Sequence, residues 1–222
     1  MRRLAALLLL VLAGLLLVAG CGSDDPEADA GTASQSTAPF PYQGFPIDPR
    51  QPAPPLRLQD VDGGTVDLKD MVGKPTLVSF VYSQCPDTCP LTLAALNTVR
   101  RNLGPKADDF SIVLVSTDPT GDTPKNVRDF LEKFHLRGHA KYLVGTEAQL
   151  RPVWRAWQIE REVDEHVHAE DMAGHHDGHA GLIGHDSFTF GIDASGRLTT
   201  AYPVDGQVDL LLHDLPLLET SV

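Results

Sequence analysis

The junction at residues 76–90 constrains the fold more than any other stretch. Thr76-Leu77-Val78-Ser79-Phe80-Val81-Tyr82 is a mostly apolar run, as expected of a strand buried on both faces. Two residues later comes Cys85-Pro86-Asp87-Thr88-Cys89-Pro90, and then a helical pattern. Leu91, Ala95, Leu96, Val99 and Leu103 are expected on one side of that helix, and Gly104 to stop it. Ile112-Val113-Leu114-Val115 reads as the next strand. Strand, helix and strand with a crossover of this length imply a parallel, right-handed βαβ unit. The two cysteines therefore fall where a strand ends and a helix begins. Unpaired backbone N–H groups and the positive end of the helix dipole favour thiolate over thiol there.

The other patterns extend the same layout. Leu56-Arg57-Leu58-Gln59 and Thr65-Val66-Asp67-Leu68 alternate around Asp62-Gly63-Gly64, which predicts a β-hairpin. Thr123-Pro124 opens a helix with Val127, Phe130, Leu131 and Phe134 as its buried stripe. Tyr142-Leu143-Val144 is a short strand. Thr146 and Gln149 make a capping box for a helix carrying Leu150, Val153, Trp154 and Trp157, with Pro152 predicting a kink or a later start. Residues 187–193 and 197–202 form a hairpin across Ala194-Ser195-Gly196, and a helix from about Gln207 to Leu218 closes the domain. The fold class is α/β, thioredoxin-like, with a mixed central sheet flanked by helices and an N-terminal β-hairpin.

The N-terminus reads differently. Arg2 and Arg3 precede an apolar run from Leu4 to Val18, too short to span a bilayer and suited to a secretory signal. It ends in Leu17-Val18-Ala19-Gly20-Cys21, which resembles a bacterial lipobox, so Cys21 is expected to carry lipid. Residues 1–20 are then a lipoprotein signal peptide. Residues 21–55, rich in Ser, Thr, Ala, Pro, Asp and Gly, are a tether, and the folded domain spans 56–222. The expected location is the extracytoplasmic face of a bacterial cell membrane. A formal net charge of −12 argues against a nucleic-acid partner and against purely electrostatic membrane binding.

With Cys21 assigned to lipid, Cys85 and Cys89 remain as one close pair in an extracytoplasmic chain. A purely structural bridge over so short a loop would constrain little chain, so redox or metal chemistry is the better reading. Four-residue spacing puts both sulfurs on one helical face if the turn is helical, within reach of a disulfide or a thiophilic metal. Thioredoxin-type enzymes use two intervening residues, and this chain has three. Peroxiredoxins usually have Thr three residues before the nucleophile; here Tyr82 stands there, a packing residue beside the site. Where a thioredoxin carries its cis-Pro, Gly184-His185-Asp186-Ser187-Phe188 offers a histidine. A second feature is the stretch 166–179, with His166, His168, His175, His176 and His179 among 14 residues. It is either a solvated loop or an auxiliary metal-capture segment, within a His-rich insertion at 164–184.

Phe80-Val81-Tyr82-Ser83-Gln84-Cys85-Pro86-Asp87-Thr88-Cys89-Pro90 resembles the signature of the Sco/SenC family of copper chaperones for cytochrome c oxidase. Val115-Ser116-Thr117-Asp118-Pro119 with Asp122-Thr123-Pro124 is similar to that family's second conserved stretch, and His185 lies where its metal-binding histidine does. The resemblance covers about Leu56 to Leu218. It implies copper, as Cu(I) or Cu(II), held by the thiolates of Cys85 and Cys89 and the imidazole of His185. It also implies a periplasmic copper donor and, as recipient, the copper-binding subunit of cytochrome c oxidase. Asp87 is then either a docking or transfer residue or an acid complementing the helix dipole. The family usually has Asp just before the histidine, and this chain has Gly184. A metallochaperone transforms no substrate, so the chain is not expected to be an enzyme. The alternative is an extracytoplasmic thiol-disulfide oxidoreductase, Cys85 attacking and Cys89 resolving, that keeps the oxidase's copper-ligand cysteines reduced.

Overall fold

The computed structural model describes residues 40–159, 162–163, 183–184 and 188–220. Its strands are β1 (Phe45–Pro52), β2 (Arg57–Asp60), β3 (Thr65–Asp67), β4 (Thr76–Val81), β5 (Ser111–Ser116), β6 (Lys141–Val144), β7 (Glu162–Val163), β8 (Ile183–Gly184), β9 (Phe188–Ile192) and β10 (Arg197–Pro203). Its helices are α1 (Thr88–Leu103), α2 (Pro124–Lys133), α3 (Glu147–Ala156) and α4 (Gln207–Thr220). Eight strands form one sheet in the order β1-β10-β9-β4-β5-β6-β2-β3, and β7 pairs with β8 separately. β4, β5 and β6 are parallel and the other pairs antiparallel, giving the mixed sheet of a thioredoxin-like α/β fold.

Burial on both faces explains the apolar run of β4, all six residues of which are buried. Leu77 and Val81 point to one face, where Leu93, Leu96 and Val99 of α1, Val127 and Leu131 of α2, and Leu211, Leu215 and Leu218 of α4 cover the sheet. Val78 and Phe80 point to the other, against Leu150, Val153 and Trp154 of α3 and the following Trp157. Period-two alternation along a strand thus divides one run between two cores.

Local signals hold at the helix ends. Thr123 caps α2, its hydroxyl accepting the Asn126 N–H at 3.2 Å, with Pro124 at the first helical position. The Gln149 side chain accepts the Thr146 N–H at 2.8 Å at the start of α3. α3 nonetheless begins at Glu147 and runs through Pro152, with no later start. Gly104, at φ 55°, ends α1 in a conformation that a β-carbon would strain.

Two expectations change. The folded unit begins at Phe40 rather than near Leu56. Phe45–Pro52, inside the stretch 21–55 read as tether, is an edge strand on β10, with Phe45 opposite Ala201 and Pro52 opposite Arg197. Its three prolines and lack of alternation conceal it, because an edge strand needs neither a full set of N–H donors nor a buried face. Leu91 is 55% exposed, whereas Leu93 is fully buried. The inward face of α1 is Cys89, Leu93, Leu96 and Val99, rotated away from Leu91. No helix among the described residues is long and apolar enough to cross a membrane.

Candidate metal centre

β4 ends at Val81, and seven residues later α1 starts with Thr88, so Cys85 lies in the connecting loop and Cys89 in the first helical turn. Both are free thiols. Cys89 is 1% exposed and Cys85 9%, so one sulfur is sealed in and the other lies at the surface boundary. They share an apolar cluster with Tyr82 and Leu93. The rim is exposed Gln84, Pro86, Asp87 and Leu91.

The local backbone makes the two sulfurs unequal. Cys85 Sγ accepts the Cys89 main-chain N–H at 3.4 Å, so one orphan donor of the helix start is aimed at sulfur. The thiol hydrogen bond from Cys89, with backbone N–H groups of Asp87 and Cys89, outweighs partial burial and lowers the Cys85 pKa to about 5. Cys89 moves the opposite way. Its hydrogen bond to Cys85, burial and the neighbouring thiolate charge all push its pKa upward. At neutral pH the pair is one thiolate and one thiol sharing a proton.

Asp87 occupies the N-cap position of α1 but makes no side-chain capping hydrogen bond. Its carboxylate is exposed beside Cys85, while its N–H helps to hold the thiolate. Tyr82 is buried against both cysteines, as expected of a packing residue, and its side chain also hydrogen-bonds to Cys85.

The reading from sequence assigned no role to Asp122, which the structure places at the centre of the site's support. Its Oδ1 accepts the Ser83 N–H at 2.7 Å. Its Oδ2 accepts the hydroxyls of Ser116 at 2.6 Å and Tyr142 at 2.8 Å. Burial pushes its pKa up, against the pull of these hydrogen bonds. The signal in the sequence was its place in the stretch Ser116 to Thr123, just after a strand parallel to β4.

Of the expected ligands, the fold brings Cys85 and Cys89 together. His185, the stretch with His166, His168, His175, His176 and His179, and Cys21 lie outside the described residues. Among the described residues no group of three or more His, Cys, Asp or Glu could hold a metal ion. The donors in hand are two sulfurs, one already ionised, which suits a soft, thiophilic cation.

Comparison with known proteins gives this geometry a family. The SCO1/SenC profile matches residues 47–217, from within β1 to within α4. An SCO2-like protein of Rickettsia conorii is 28% identical over 150 residues, 68% of each chain. The copper-bound structure of Bradyrhizobium japonicum ScoI superposes with a TM-score of 0.62 at 27% identity, covering 75% of this chain and 99% of that one. Apo Sco1 from Thermus thermophilus superposes at 0.65 and 26% identity, covering 82% and 99%. A dithiol loop at the head of a thioredoxin-like sheet, matched along nearly the whole folded unit, makes this chain a member of the SCO1/SenC family.

Proposed function

We propose that this chain is a copper metallochaperone, holding the ion on Cys85 and Cys89 with His185 as third ligand. It would pass the ion to the dinuclear copper site of cytochrome c oxidase. The observation that carries the reading is the pair of reduced sulfurs at the start of α1, one poised as thiolate and at the surface boundary, the other protonated and sealed in. A homologous ScoI with copper bound supports the choice of metal. In this reading copper is cargo. The Cys85 thiolate meets the ion first, and Cys89 gives up its proton as the second sulfur joins. The pair must be reduced to bind, so its redox state gates loading. A signal at 1–20 would direct export, and lipid on Cys21 would hold the domain at the outer face of the cell membrane. The stretch 166–179 would add weak metal capture near His185.

Anaerobic titration of the reduced domain with Cu(I) tests this. One copper per chain is expected. Cys85→Ser or Cys89→Ser should weaken binding at least about a hundredfold, or about 2.7 kcal/mol. His185→Ala should weaken it and change the thiolate-to-Cu(II) absorption. Full binding in either cysteine variant would sink the proposal.

The split between the two thiols also favours a second reading, a thiol-disulfide oxidoreductase. The Cys85 thiolate would attack a partner disulfide and expel one partner sulfur as thiol. Cys89, losing its proton, would then displace the other, leaving the partner with two thiols and this chain with the Cys85–Cys89 disulfide. Reduction of insulin disulfides unaffected by His185→Ala would favour this role.

A further inference from the structure

The support of the dithiol loop is concentrated on one side chain. Asp122 is buried, and its carboxylate receives three donors from three parts of the chain. Ser83 belongs to the loop two residues before Cys85, Ser116 ends β5, and Tyr142 lies on β6. Asp122's own N–H donates to the Asp118 carbonyl at 3.0 Å. Asp118 in turn folds the preceding turn by accepting the Thr120 and Gly121 N–H groups at 3.1 and 2.9 Å. A β-carbon on Gly121 would lie 2.1 Å from Asp118 Oδ2, so a side chain there would displace that carboxylate. Between Val81 and Thr88 the main chain is tied by the Ser83 amide on Asp122 and the Cys85 amide on the Tyr82 carbonyl at 3.3 Å. A carboxylate suits this position because all three partners donate and a carboxylate only accepts. An amide would keep one acceptor oxygen and turn its N–H groups toward partners, two of them hydroxyls, that would have to give up donating to accept them.

We propose that Asp122 is the positioning residue of the dithiol. By seating the Ser83 amide in the buried Ser116–Asp122–Tyr142 cluster it fixes the loop that carries Cys85, and so preorganises the two sulfurs for a thiophilic metal or for closure to a disulfide. The proposal rests on the use of Cys85 and Cys89 as a functional dithiol. It assigns the second family-like stretch, Ser116 to Thr123, to holding the first. A mobile loop would have to be ordered at each binding event, and that cost is removed when the loop is already held.

The test compares the reduced wild-type domain with Asp122→Asn, Tyr142→Phe and Asp193→Asn. The last is a control: a buried carboxylate at the opposite end of the sheet, whose Oδ1 accepts the Ser195 and Arg197 N–H groups, each at 3.0 Å. Two quantities are read beside thermal stability. One is Cu(I) affinity by chelator competition. The other is the equilibrium with glutathione, in which the dithiol gives two electrons and two protons to one glutathione disulfide, yielding two glutathione thiols and the Cys85–Cys89 disulfide. Asp122→Asn should weaken Cu(I) binding about tenfold, the scale of a lost outer-shell partner, and move the glutathione equilibrium toward the reduced dithiol by a similar factor. Tyr142→Phe, which deletes one oxygen, should move both in the same direction by roughly twofold to threefold. Asp193→Asn should lower stability and move neither. If the Asp122 and Tyr142 variants shift both quantities no more than the Asp193 variant does, the proposal fails. If Asp122→Asn does not fold, Tyr142→Phe decides. If wild type takes up no Cu(I), the copper reading fails while the glutathione arm still judges Asp122.

Discussion

Asp122 and Asp214 are both carboxylates removed from water, and they hold very different things. Asp214, on α4, accepts the Gln43 N–H at 2.8 Å and the Gly44 N–H at 2.9 Å, with His213 Nδ1 2.7 Å away. Its main-chain partners are consecutive and lie just before β1. Gly44 leaves no room for a side chain, since a β-carbon would meet Thr200 Oγ1 at 2.3 Å. Asp122 draws its donors from a loop, β5 and β6. The device is shared: a buried acceptor takes main-chain N–H groups that no sheet ladder satisfies, two of them at Asp214 and one, beside two hydroxyls, at Asp122. Around Asp214 it straps down an edge segment that the sequence hardly commits to any structure. Around Asp122 it fixes the loop on which the chemistry depends. Where the donors come from one short stretch, losing the acceptor should fray that stretch. Where they come from several elements, losing it should deform a site.

The widest expected difference between the two regions is in thiol reactivity. In the metal-free, reduced protein Cys85 has its pKa lowered to about 5, so it is thiolate above that pH. At pH 6 it should hold about two orders of magnitude more thiolate than an ordinary cysteine. Its alkylation rate should stay nearly level from pH 8 down to 6 and then fall about tenfold per unit below 5. A profile that instead rises steadily to pH 8 or 9 would show that the donors at the start of α1 do not act on Cys85. Asp214→Ala should leave this profile in place.

Next in size is the edge segment. Asp214→Ala leaves the Gln43 and Gly44 N–H groups without their acceptor, at a cost of about 3 kcal/mol, or roughly 10 °C in melting temperature. Hydrogen exchange should quicken along Phe45–Pro52 while copper uptake stays unchanged. A parallel loss of copper uptake would show that strap and site are one cooperative unit rather than two separable regions.

The smallest effect sharpens the boundary of the site. Leu91→Ser should cost less than about 0.5 kcal/mol, because the side chain is 55% exposed, whereas Leu93→Ala in the same turn should cost about 2–5 kcal/mol. Chemical denaturation of the two variants measures both. A large loss at Leu91 would mean that the apolar rim beside the cysteines is covered in solution.

Much of this architecture is legible in residue order. The run of β4, the caps at Thr123 and Thr146 and the turn at Ala194-Ser195-Gly196 are local signals, and the structure follows each. β1 is not legible, because a proline-rich edge strand carries no periodic pattern, and its partners are distant: β10 pairs with it, and Asp214, some 170 residues away, takes the N–H groups just before it. Leu91 misleads because its residue type suits a core while its helical phase does not. A helix that turns Cys89 and Leu93 inward points Leu91, two residues or about 200° from each, outward.

The sequence by itself determined that two cysteines would stand where a buried strand gives way to a helix, since hydrophobic period, proline and glycine are short-range instructions. It pointed to thiol chemistry as well, because the N–H groups at a helix N-terminus favour a thiolate that they can reach. Only the tertiary structure decided which sulfur is ionised and which is sealed in, and that Asp122 takes the Ser83 N–H of the loop leading into Cys85. The first two depend on burial and on how the loop folds its own N–H groups onto Cys85, the third on donors from β5 and β6, and none is encoded at any single position in the chain.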